Sequence, residues 1–176
     1  MISNDVRGRM RALAARYPSA RSATLPALHL AQEAEGYVTP RGVEAVAEAL
    51  GLRVDEVDSV VSFYSMFFKR PVGRSVIKVC TSISCYLRGS DALVAHFERS
   101  LGIRRGETTA DGAVTLLPTE CLAACGGACA LQVNDEIVEQ VTPESADTLI
   151  ARLRASSTGT ASAGPTAERH HAEGEV

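Results

Sequence analysis

With 176 residues and 45% hydrophobic side chains, the chain can bury the core of one compact domain or two small ones. Its net charge of −3 leaves no basic footprint for nucleic acid. No apolar run reaches the roughly 18 residues that a membrane-spanning helix needs.

The N-terminus, MISNDVRGRM, has no apolar stretch and does not read as a signal peptide, so a reducing cytosol is the expected setting. Val6, Met10, Leu13 and Tyr17 recur at helical spacing, and Pro18 ends the run. Leu25, Leu28 and Gln32 continue a second helix that Gly36 closes. Thr39-Pro40 reads as an N-cap followed by proline at the first helical position. Val43, Val46, Ala47 and Leu50 then form an apolar stripe, with Gly51 as its C-cap. A fourth helix carries Val57, Val60, Val61 and Tyr64 and ends before Pro71. This half predicts a small helical bundle with short connections.

At residue 75 the pattern changes. SVIKVC over 75–80 is short and β-rich, as a buried strand should be. Ser90 then caps a helix with Leu93, Val94, Phe97 and Leu101 inward. Residues 113–117 predict a second strand. Residues 130–134 and 137–141 predict a hairpin around Asn134-Asp135-Glu136. Thr142-Pro143 starts a last helix with Leu149, Ile150 and Leu153 on one face. From Ala155 on, small and polar residues dominate, and the expectation is a flexible tail.

The chemistry rests on cysteine. Of five cysteines, Cys80 and Cys85 form C-x4-C, and Cys121 and Cys125 form C-x3-C. Four thiolates are what a [2Fe–2S] cluster needs, two per iron. Structural zinc also takes four thiolates and is the rival reading, although its knuckles favour C-x2-C or C-x4-C. A dithiol redox pair needs C-x-x-C, which is absent. An odd cysteine count argues against a disulfide framework. No phosphate loop, H-E-x-x-H or G-x-S-x-G motif offers other chemistry.

The order of elements suggests how the pairs meet. A strand, a helix and a second strand form a right-handed crossover with the strands parallel. Cys80 ends the first strand, Cys85 lies in the loop after it, and Cys121 and Cys125 follow the second. Both pairs then fall at the carboxyl edge of the sheet, where ligands of open α/β sheets gather. Gly89, Gly126 and Gly127 are expected to let backbone approach and offer N–H groups to sulfur.

Other residues carry less. Phe63, Tyr64, Phe67 and Phe68 concentrate the aromatics, as core of the fourth helix or as a partner-facing patch. Lys78 and Arg88 flank the cysteine loops as cations or as ordinary solvated charges. His29 and His96 have no paired ligand spacing, and His170-His171 read as a solvated end.

CTSISC over 80–85, TECLAAC over 119–125 and QVND over 132–135 resemble the 24 kDa-type subunit of NADH:quinone oxidoreductase, respiratory complex I. LAQEAEGYV over 30–38 and VVSFYSMF over 60–67 are similar to that family's helices. The resemblance covers roughly residues 5–154. It implies an α+β protein: a helical bundle over 1–72 and a thioredoxin-like α/β [2Fe–2S] ferredoxin domain over 73–154, beyond which the tail read from composition runs over 155–176. It implies one [2Fe–2S] cluster on Cys80, Cys85, Cys121 and Cys125, and no catalytic residues in this chain. It implies a flavoprotein partner with FMN and the NADH site, other peripheral-arm subunits, and a place on the cytoplasmic face of the membrane. The equivalent subunit of a soluble NAD-linked formate dehydrogenase or hydrogenase shares this module, and a zinc-stabilised adaptor is the non-redox alternative.

Two positions depart from the resemblance. Ala123 stands where the family usually has glycine, and Cys129 where it usually has proline. Cys129 repeats the C-x3-C spacing from Cys125, so spacing alone leaves the ligand choice open. The E-C-L-x-x-C pattern favours Cys121 and Cys125, leaving Cys129 as a small buried residue at the start of a strand.

Overall fold

The structure, a computed structural model, describes residues 2–155. The chain divides into two compact units, one up to Pro71 and one from Val72. Of the expected tail, Ala155 is described, within the last helix; the rest, with His170-His171, lies outside the described residues.

The first unit is helical. Helix α1 (Asn4–Ala14) starts where the Ser3 hydroxyl accepts the Val6 N–H at 3.3 Å, and it buries Met10. It ends before Tyr17, although the 3.6-residue period runs on to that residue; Tyr17 lies 40% exposed. After a short 3₁₀ turn (Ala20–Ala23), α2 (Thr24–Glu35) closes on Gly36 in the left-handed region, φ 81°. Helix α3 (Pro40–Leu50) has the expected Thr39 cap, with the Gly42 N–H 2.9 Å from its hydroxyl. Helix α4 (Val54–Phe63) is opened by Glu56, whose carboxylate accepts the Arg53 N–H at 3.1 Å. Met10, Leu28, Val46, Val57, Val61 and Phe67 fill the core. Gln32 ties α2 to the segment after α4, donating to the Met66 carbonyl and accepting the Phe68 N–H. The aromatic group splits: Phe67 is core, whereas Phe63 is 80% exposed.

The second unit is built on a four-stranded sheet in the order β2-β1-β3-β4. Strand β1 (Ser75–Cys80) pairs parallel with β2 (Val114–Thr119) and antiparallel with β3 (Leu131–Val133). As a central strand it is buried along most of its length, which explains its unbroken apolar character. Strand β4 (Glu136–Val138) pairs with β3, so both hairpin strands are shorter than their apolar pattern and the turn is Asn134-Asp135 alone. Asn134 pins this turn to β1: its side-chain oxygen accepts the Val76 N–H and its own N–H meets the Val76 carbonyl, each at 2.9 Å.

A five-residue helix, α5 (Ile83–Leu87), follows β1 where a loop was expected. Helix α6 (Ser90–Leu101) begins at Ser90 instead of being capped by it. The cap position belongs to Gly89, and the Ser90 hydroxyl is buried without a hydrogen-bond partner. Helix α7 (Pro143–Ala155) packs against α6, with His96 Nε2 2.7 Å from Asp147. Ile77, Val79, Phe97, Leu116, Leu131 and Ile150 form the core between sheet and helices. Gly73 touches that sheet closely: a Cβ there would sit 2.9 Å from the Val114 backbone N and C. Backbone in a paired strand cannot yield, so Gly73→Ala is expected to cost about 1–3 kcal/mol in chemical denaturation. A variant as stable as the parent would contradict the packing.

Candidate metal centre

Parallel pairing sets the site. Cys80 is the last residue of β1 and lies in register with Thr119, the last of β2. The chain leaving β1 turns into α5 and delivers Cys85. The chain leaving β2 delivers Cys121, then Cys125 at the start of a 3₁₀ turn (Cys125–Gly127). Cys80, Cys85, Cys121 and Cys125 line one cavity of about 50 Å³. All are free thiols. Cys80 and Cys85 are 4% and 3% exposed, while Cys121 and Cys125 are exposed. Among the described residues no three His, Cys, Asp or Glu side chains close around a single metal position.

Backbone N–H groups converge on the sulfurs. Ala123 donates to Cys121 Sγ at 3.2 Å. Burial pushes the Cys80 thiol up, but N–H groups of Leu122 and Ser82, together with the Cys85 thiol, outweigh it and hold Cys80 below the usual thiol range. Burial and the neighbouring Cys80 raise Cys85 against a hydrogen bond from the Ala130 N–H. The recorded donor to a sulfur is Ala123, and two of the glycines expected in that role turn their N–H groups elsewhere. The Gly89 N–H meets the Tyr86 carbonyl, and the Gly127 N–H meets that of Ala124.

Glycine has a different task here. A Cβ on Gly127 would lie 2.6 Å from Glu139 Cβ, so only glycine lets the chain after β4 close over this loop, where the Gln140 N–H reaches the Gly127 carbonyl at 2.7 Å. Ala123 has φ 59°, a left-handed conformation that costs an alanine about 1–2 kcal/mol and glycine far less. That conformation accounts for the family's glycine at this position.

Cys129 is absent from the cavity wall. It is 6% exposed and belongs to the main core, as a small buried residue should. The Ala128–Cys129 peptide is cis, at the position where the family usually has proline. Lys78 also lies away from the cavity: burial lowers its ammonium against the opposing charge of Asp135, in the hairpin turn. Arg88 stands nearer, in an open groove shared with Cys125 and Cys129.

Four thiols in two pairs, received by backbone N–H groups in an apolar recess, are a donor set suited to an iron–sulfur cluster. The family model for thioredoxin-like [2Fe-2S] ferredoxins matches residues 10–154. The chain belongs to the thioredoxin-like [2Fe-2S] ferredoxin family. Like its family it is a [2Fe–2S] protein, and the α+β architecture follows the expected one.

Three relatives of this ferredoxin are named as subunits of NADH-quinone oxidoreductase. The one from Mycobacterium tuberculosis (strain ATCC 25618 / H37Rv) is 46% identical over 139 residues, covering 79% of this chain and 55% of the relative. The chain therefore spans about half the length of that relative. The one from Rhizobium meliloti (strain 1021) is 43% identical over 150 residues, covering 85% of this chain and 89% of the relative. The one from Escherichia coli (strain K12) is 36% identical over 138 residues, covering 78% and 83%. Among solved structures, the crystal structure of NAD+-reducing [NiFe]-hydrogenase in the air-oxidized state superposes with a TM-score of 0.66 at 25% identity, over 75% of this chain and 23% of that one. No helix among the described residues is long and apolar enough to cross a membrane.

Proposed function

We propose that this ferredoxin is the electron-transfer subunit of an NADH:quinone oxidoreductase, with Cys80, Cys85, Cys121 and Cys125 holding one [2Fe–2S] cluster. The observation that carries the reading is the meeting of the two cysteine pairs at the carboxyl ends of β1 and β2. The helical unit over 1–72 and the cluster domain over 73–154 are read as its two working parts. A bound [2Fe–2S] cluster supplies one-electron chemistry. The chain contributes the rest. N–H donors on the sulfurs offset thiolate charge and so bear on potential. Burial of Cys80 and Cys85 keeps water from the inner side, and the exposure of Cys121 and Cys125 is read as the side that faces a partner.

That partner is read as the FMN-bearing, NADH-binding subunit, within an assembly at the cytoplasmic face of the membrane. Identity to the NADH-quinone oxidoreductase relatives over most of this chain supports it. The likeness to the NAD+-reducing [NiFe]-hydrogenase supports a second reading, the corresponding subunit of a soluble NAD-linked enzyme. Membrane subunits co-purifying with the native chain favour the first, and a nickel or molybdenum subunit the second.

The purified chain is expected to be red-brown with about two irons and two sulfides. Colourless protein with stoichiometric zinc would overturn the redox reading. The isolated chain is expected not to take electrons from NADH, since no glycine-rich dinucleotide fingerprint follows a strand. Adding the flavin subunit should bring about rapid bleaching. Bleaching by NADH alone would mean a nucleotide site in this chain.

A further inference from the structure

We propose that Cys129 is a positioning residue that holds the Cys85 loop through its thiol proton, an inference that rests on Cys85 being a cluster ligand. Helix α5 is five residues long and cannot hold its own shape, because one helical turn is marginal without outside contacts. Its last carbonyls need partners. Cys129 Sγ lies 3.3 Å from the Arg88 carbonyl oxygen and 3.5 Å from that of Cys85, so its S–H donates into the turn that closes α5. The Cys85 carbonyl also accepts the Arg88 N–H at 3.1 Å, which makes it the joint of that turn.

The next residue packs on the same loop, since Ala130 shares a small buried cluster with Cys80 and Cys85. Residues 129–130 therefore hold Cys85 at its carbonyl and pack against its side chain. They are themselves fixed: Cys129 is 6% exposed within the main core, its carbonyl accepts the Val141 N–H at 2.9 Å, and the Ala130 carbonyl accepts the Cys80 N–H at 3.1 Å. The thiol stands behind Cys85 and not on the cavity wall, which separates this role from that of a fifth ligand. Proline, the family's usual residue here, has no side-chain proton to donate. The contact is thus a property of this chain.

The test uses the full chain with its cluster and two variants, Cys129→Ala and Cys129→Ser. Both remove the sulfur, but only serine keeps a donor. Iron and sulfide content, the rate of bleaching in excess EDTA, and the midpoint potential from an EPR-monitored titration are measured. Cys129→Ala is expected to retain two irons and two sulfides but to bleach about tenfold faster, the scale typical of lost outer hydrogen bonds at metal sites. Its potential should fall, because a Cys85 loop that shifts away from the backbone N–H groups around the sulfurs leaves the more negative reduced state less stabilised. Cys129→Ser should restore both rate and potential. A Cys129→Ala variant equal to the parent in both overturns the proposal, as does a serine variant as impaired as alanine. Iron content below two in Cys129→Ala would make Cys129 a ligand and not a positioning residue. A parent chain without iron overturns the ligand reading, and this proposal with it; a parent with two irons and a silent alanine variant overturns this proposal alone.

Discussion

Replacing any one of Cys80, Cys85, Cys121 or Cys125 by alanine is expected to take iron content from about two per chain to nearly none, with loss of colour. In the proposed ligand set each thiolate would supply a bond that no neighbour can replace, and metal binding is coupled to the folding of the loops that carry it. The inner and outer pairs should differ in a second measurement. Cys80 and Cys85 pack with Ala130 in a small buried cluster, so their truncation also removes core contacts. Cys121 and Cys125 are exposed, and their truncation should leave the melting of the metal-free chain close to that of the parent. Retention of full iron by Cys121→Ala or Cys125→Ala, with loss in Cys129→Ala, would show that the ligand set is wrong.

Phe97→Ala is expected to destabilise the second unit by about 3–5 kcal/mol, a large share of the roughly 5–15 kcal/mol typical of a domain. Phe97 is fully buried on α6 and packs in the core shared by the sheet and α7. Deleting its ring removes transfer energy and leaves a void that a paired sheet cannot close. Leu87→Ala is the control: at 75% exposed it should change stability by less than about 0.5 kcal/mol. Urea unfolding of both variants decides the point, and equal midpoints would contradict this core.

Much of this was legible in the sequence because local chemistry and tertiary demand agreed. Thr39 with Pro40, and Gly36 and Gly51, each mark a helix end by a mechanism confined to a few residues, and each is found there. The meeting of the cysteine pairs followed from parallel strands alone. What escaped was decided by contacts from distant sequence. Nothing local in ISCYL signals helix α5; Cys129 reaches its Cys85 carbonyl from far along the chain. The hairpin strands stop early because the chain after β4 leaves to pair with Gly127 and Cys129. The sulfur donors escaped for a related reason: glycine permits close approach, but N–H direction depends on backbone angles, and Ala123 obtains the required one at a left-handed φ.

The uneven burial of the two pairs sets an order of chemical attack on a chain that has not yet received its iron. A water-borne oxidant or alkylating agent meets Cys121 and Cys125 first, while the sheet and α5 shelter Cys80 and Cys85. Injury there would cost the chain its cofactor while leaving the fold intact, producing a well-behaved but inert protein. With the proposed ligand set, oxidation that came before iron would do its harm in the outer loop.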